Sequence, residues 1–104
     1  MAEPNKQNMI AGLFTAYAFE AITVSNAVKT LTASKYGDSV KRAVITIQNA
    51  QLRYNYDGST PTATVGHVVN PFDVIVLIGT SNIQNFKAIR KGTTDSVISV
   101  TYEK

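Results

Sequence analysis

Period-two alternation of apolar and polar residues dominates the chain. From Lys41 to Gln48, Ala43, Ile45 and Ile47 fall on one side and Val44, Thr46 and Gln48 on the other, the pattern of a strand with one buried face. The run Val44-Ile45-Thr46-Ile47 is β-branched, which restricts χ1 in a helix and suits a pleated sheet. Leu52, Tyr54 and Tyr56 alternate with Arg53, Asn55 and Asp57, predicting a second half-buried strand. It is broken at Asp57-Gly58, a pair that tolerates tight-turn backbone. Ser59-Thr60-Pro61-Thr62 prolongs the connection, since Pro61 has no N–H to offer a ladder. Ala63 to Val65 then allow a strand to resume.

The rest of the chain reads in the same way. Phe19–Val24 is a strand, Ser25-Asn26 a turn, and Ala27–Ser34 a partly alternating strand. Tyr36-Gly37-Asp38-Ser39 is a loop. Thr64–Val69 is a short strand, and Asn70-Pro71-Phe72-Asp73 a turn. Val74–Ile78 is an unbroken apolar run, which predicts a strand buried on both faces. Gly79–Asn82 reads as a turn. Ile83–Arg90 reads as a strand with Phe86 and Ala88 opposite Asn85, Lys87 and Ile89. Ser96–Tyr102 closes the chain, with Ile98, Val100 and Tyr102 on one face. About eight short strands, with turn signals every ~8–12 residues and no helix–strand alternation, predict an all-β fold. The expected architecture is an antiparallel β-sandwich, jelly-roll or immunoglobulin-like, over residues 19–104.

Residues 1–18 predict an arm. The first eight are polar and include Pro4; Met9–Ala18 is apolar without a clean period, open to a short helix or an extended strip. An apolar strip that does not fold onto its own domain needs a neighbour, which singles out Met9, Ile10, Leu13, Phe14 and Tyr17 as interaction residues.

Composition narrows the chemistry. The chain has 104 residues and no cysteine, which removes disulfides, thiolate metal sites and a cysteine nucleophile. No apolar run approaches the ~20 residues that span a bilayer, and the opening residues lack the basic-then-apolar order of a signal peptide. The net charge is +3, but the basic residues are scattered, which weighs against a nucleic-acid groove. His67 is the only histidine and reads as a strand residue, with no nucleophile elbow to accompany it. Asp38, Asp57, Asp73 and Asp95 each sit in a turn, where aspartate serves local hydrogen bonding, so neither a calcium site nor a carboxylate pair is assigned. There is no phosphate-binding glycine loop. The reading is therefore non-enzymatic, with no catalytic residue, no metal and no cofactor. Tyr54 and Tyr56 fall on one strand face about 7 Å apart, as core or subunit interface if covered and as stacking platforms if open. Arg53 and Arg90 mark polar or inter-subunit positions.

Two stretches carry a resemblance. Arg53-Tyr54-Asn55-Tyr56-Asp57-Gly58-Ser59-Thr60-Pro61-Thr62 is followed by Gly66-His67. Asn82-Ile83-Gln84-Asn85-Phe86-Lys87-Ala88-Ile89-Arg90 is followed by a Gly-Thr connector and the closing Ser-Val-Thr-Tyr-Glu strand. Together they resemble small β-sandwich virion proteins of tailed bacteriophages, over roughly residues 19–103. The resemblance implies a structural role in the virion: decorating or cementing the capsid, or sitting at the head–tail junction. The implied partners are the major capsid protein or other virion proteins, and further copies of the chain in a homo-oligomer. The Asp-Gly-Ser-Thr-Pro-Thr turn is also similar to carbohydrate-binding β-sandwich modules, with Tyr36, Tyr54 or Tyr56 as platforms.

Overall fold

Eight strands and two single-turn helices make up residues 14–104, the part described by the computed structural model. In chain order they are β1 (Ala16–Val24), β2 (Lys29–Thr30), α1 (Ala33–Tyr36), β3 (Arg42–Gln48), β4 (Leu52–Asn55), β5 (His67–Val69), β6 (Val74–Ile78), α2 (Thr80–Gln84), β7 (Lys87–Arg90) and β8 (Ser96–Glu103). The strand read from Phe19 begins at Ala16. Met9, Ile10 and Leu13 lie outside the described residues.

The strands pair antiparallel as β1 with β8, β2 with β7, β3 with β6 and β4 with β5. Each pair is one rung of a long hairpin whose tip is the β4–β5 connection. Rolling that hairpin brings β3 against β8 and β4 against β7. The result is two four-stranded sheets, β1-β8-β3-β6 (sheet A) and β2-β7-β4-β5 (sheet B). This is the jelly-roll form of the antiparallel sandwich, so the jelly-roll alternative is the one realised.

Alternation explains the core. β8 buries Ser96, Ile98, Val100 and Tyr102, and β3 buries Ala43, Ile45 and Ile47. Val24, Leu52, Val69, Ile75, Leu77 and Ala88 supply further strand faces, and Phe86 enters the core just ahead of β7, giving the two facing apolar layers of a sandwich. Ser96 is fully buried, and its hydroxyl donates to the Gln48 carbonyl at 3.0 Å.

Four local readings are corrected. Thr64–Val69 is a strand only from His67, because residues 63–66 bend where the Arg53 guanidinium holds the Ala63 and Gly66 carbonyls. Ala27–Ser34 yields only the two-residue β2, because the chain leaves the sheet and turns as α1 to bury Tyr36 against Tyr102, ring centroids 5.9 Å apart. Gly79–Gln84 is not a simple turn into a strand at Ile83. It is α2, which drives Ile83 into the core and delays β7 to Lys87. Most consequentially, β6 is not buried on both faces. It is the last strand of sheet A, and only Ile75 and Leu77 are covered. A strand of five aliphatic residues conceals in sequence which face meets water.

Candidate functional site

The Leu52–Gly66 stretch folds back on itself through one arginine. Arg53 Nε donates to the Ala63 carbonyl at 3.0 Å and Nη1 to the Gly66 carbonyl at 2.9 Å. Pro61 is buried beneath this clasp, and Gly66 takes φ +133° beside it. Arg53 thus organises its own loop. The clasp sets His67 next to Tyr54 and Tyr56, with ring centroids 5.5 and 6.3 Å away, while the two tyrosine rings stack at 6.3 Å. Tyr54 is half-buried and stacks on the buried Phe86 at 5.6 Å; Tyr56 is exposed. Burial, and then the neighbouring Tyr56, pushes the Tyr54 hydroxyl above its ordinary pKa. Asn55, Tyr56, Asp57 and His67 line a shallow depression of about 250 Å³. The Ser59 hydroxyl and amide both donate to the Asp57 carboxylate, holding it below the usual carboxylate range.

The second feature is the outer face of sheet A. Its side chains run in rows across all four strands: Phe19, Thr101, Val44 and Val76, then Ala21, Ser99, Thr46 and Val74. Arg42 stands between Glu103 and Ile78 and makes an ion pair with Glu103. The Phe14 ring lies 4.0 Å from the Arg42 guanidinium, and the Tyr17 ring 3.7 Å from the Lys104 ammonium. Along the β6 margin Phe72, Val74, Val76 and Ile78 are 88%, 58%, 49% and 62% exposed. Val74, Val76 and Ile78 alternate along β6 and form one apolar row; Phe72 is exposed in the turn that leads into it.

The two features meet at the sandwich margin. Tyr54 and Tyr56 of sheet B, Val74–Ile78 of sheet A and Asn82 of α2 enclose a groove of about 380 Å³. The groove runs along the backbone edge of β6, with which no strand pairs among the described residues.

Among the sequence-predicted interaction residues, Phe14 and Tyr17 lie with sheet A, and Tyr54 and Tyr56 line the groove. Arg53 is the loop clasp, and Arg90 Nη1 donates to Asp95 at 2.5 Å. Tyr36 is in the core rather than on a stacking surface. Sequence reasoning missed Phe72, Val74, Val76 and Ile78, because an unbroken aliphatic run carries no polar mark of its outer face. Among the described residues no three His, Cys, Asp or Glu side chains gather as metal ligands, and no helix is long and apolar enough to cross a membrane. Comparison of the chain with family models, curated proteins and solved structures finds no match.

Proposed function

We propose that this chain is a structural protein of a tailed-bacteriophage virion, one that decorates or stabilises the capsid or sits at the head–tail junction. The observation that carries the reading is the row Val74, Val76 and Ile78, apolar side chains left uncovered on an edge strand among the described residues, with Phe72 exposed in the turn before it. A contiguous apolar patch on one sheet face is the mark of a surface covered in an assembly. The jelly-roll order supports the reading, because that architecture serves capsid domains, although fold alone does not assign function. The sequence resemblance to phage virion proteins points the same way. The mechanism is burial of the sheet A face against a neighbouring virion protein, with the Arg42–Glu103 pair as the polar element beside it.

Mass spectrometry of purified particles tests this reading by presence and copy number. Val76→Glu, on an exposed side chain, is expected to leave the fold intact and remove the protein from particles. Particles that never contain the chain contradict the proposal. Deleting residues 1–13, which leaves β1 whole, separately tests whether the N-terminal segment takes part.

A second reading is favoured by one observation, the Tyr54–Tyr56–His67 ring cluster beside Asn55 and Asp57. An exposed aromatic face flanked by an amide and a carboxylate suits a sugar ring, and jelly rolls also serve lectins. Tyrosine fluorescence that shifts on glycan addition and loses that response in Tyr56→Ala supports it. A glycan array without hits removes it.

A further inference from the structure

The hydrogen-bonding phase of β6 decides what fits its open edge. Ile47 N donates to the Asp73 carbonyl at 3.2 Å, and Gly79 N donates to the Lys41 carbonyl at 2.7 Å. With Arg42 opposite Ile78 and Ile45 opposite Ile75, the antiparallel alternation turns the backbone groups of residues 73, 75, 77 and 79 towards β3. The N–H and C=O groups of Val74, Val76 and Ile78 therefore face outward. Of these, the Ile78 carbonyl accepts from Asn82 Nδ2 at 2.9 Å and retains a second lone pair. The residues with outward backbone groups are the same three whose side chains are exposed.

Edge strands are ordinarily guarded by charge, bulges, brevity or cover. The other three edges of this sandwich are guarded. β1 has a register shift between Ala16 and Ala18 and is tied through Glu20 to Thr32. β2 has two residues, one of them Lys29, and β5 has three. β6 is Val-Ile-Val-Leu-Ile, with no charge, proline or bulge.

We infer that the β6 edge is covered by the β6 edge of a second copy of this chain, antiparallel about a two-fold axis through Val76. This deepens the virion-subunit reading by naming the partner of its exposed strand, and it rests on that reading only for the setting in which copies meet. In this register Val76 pairs with Val76 of the other copy, and each Val74 with the other Ile78. Each pair exchanges two N–H···O=C bonds, so all six outward N–H groups find acceptors. Moving the pairing along by one step in either direction leaves one of the three residues beyond the end of the partner strand. No charged side chain belongs to either strand, so nothing repels across the axis. The two-fold lies normal to the sheet, which joins both sheet A layers into one of eight strands. Val74, Val76 and Ile78 of both copies then form a single aliphatic band, and the two Tyr54–Tyr56 grooves face each other beneath it.

Size sets the strength. An edge of five residues is about 17 Å long and by itself buries less than the about 800 Å² per partner of a standard interface. The pair is therefore concentration-dependent in dilute solution and is reinforced where a particle holds copies close together.

The cysteine-free chain allows a direct test. Val76→Cys places two thiols opposite each other across the axis, within the Cα separation a disulfide spans. Thr94→Cys, exposed in the β7–β8 connector, serves as the control. Under mild oxidation the Val76→Cys protein is expected to give a covalent dimer at concentrations where Thr94→Cys stays monomeric. Equal cross-linking of the two, or none, overturns the inference. Sedimentation velocity supplies the second arm. Wild-type protein is expected to shift towards dimer as concentration rises. Val76→Lys, which opposes two ammonium groups, loses the shift; the double variant V74K/I78E keeps it, since each lysine faces the other copy's glutamate. A wild type that stays monomeric throughout, or equal behaviour of the two charged variants when both remain folded, also overturns it. A chain that is found in particles yet fails these tests refutes the self-pairing and leaves the virion reading standing.

Discussion

The Tyr102 hydroxyl donates to the Glu20 carboxylate across the sheet A edge. Tyr102 is fully buried on β8, and Glu20 also accepts from the Thr32 amide at 3.1 Å and the Thr32 hydroxyl at 2.7 Å. One carboxylate thus ties β1, β8 and the segment entering α1. Tyr102→Phe keeps the ring packing on Tyr36 and deletes the donor. It is expected to lower stability by about 1.5–3 kcal/mol, the range for a hydrogen bond to a charged group, as read from urea unfolding.

The same pair predicts the alkaline limit of the fold. Burial first, and the bond to Glu20 second, raise the Tyr102 pKa well above its ordinary value. The unfolded chain releases that proton near pH 10 while the folded chain keeps it. The unfolded state then binds fewer protons, so stability falls as pH rises. The contribution is complete below about pH 10 and declines above it, and Tyr54, also raised, adds in the same sense. Unfolding midpoints measured from pH 8 to 11 are expected to drop at the alkaline end, with a smaller drop in Tyr102→Phe.

Phe72 combines exposure with an unfavourable backbone. Asp73 N donates to the Asn70 carbonyl at 3.1 Å, closing a turn with Pro71 second and Phe72 third at φ +72°. That third position ordinarily takes glycine or asparagine, and left-handed backbone costs another L-residue about 1–2 kcal/mol. A water-exposed phenylalanine there gives nothing back to the isolated fold. Phe72→Gly is expected to raise stability by up to about 1 kcal/mol after the added freedom of the unfolded chain is counted, while weakening retention in particles. Thermal unfolding and particle association, measured on the same variant, should move in opposite directions.

The Arg53 clasp predicts an intolerant glycine. A Cβ at Gly66 would stand 3.1 Å from Pro61 Cβ and 3.2 Å from Arg53 Cβ, on a backbone at φ +133°. Gly66→Ala is expected to cost about 1–3 kcal/mol and to displace His67 from the tyrosine pair. Denaturant unfolding gives the first, and the His67 ring shifts in a proton NMR spectrum give the second.

The strands that alternate cleanly were legible from sequence because one face of each meets the core. β3 and β8 show their buried faces residue by residue, and Leu52 and Tyr54 orient the strand that leads to the loop. The single-turn helices were not legible: four or five residues contain too little of a 3.6-residue period to stand out, and Ile83 is as plausible at the start of a strand as inside a turn. β6 misleads for a different reason. Val, Ile and Leu at every position erase the polar marks that distinguish an outer face, so an edge strand imitates a central one. The site fared accordingly. Tyr54 and Tyr56 could be placed on one face from spacing alone. The uncovered row opposite them depends on the sheet order, in which no strand follows β6 in sheet A among the described residues.

Amide hydrogen exchange at Val74, Val76 and Ile78 tests the central claim most directly, because their N–H groups face away from β3. In dilute, isolated protein the three amides are expected to exchange quickly while Ile75 and Leu77 are protected; in assembled particles all five should be slow. Fast exchange at Val74, Val76 and Ile78 in both settings would contradict the account.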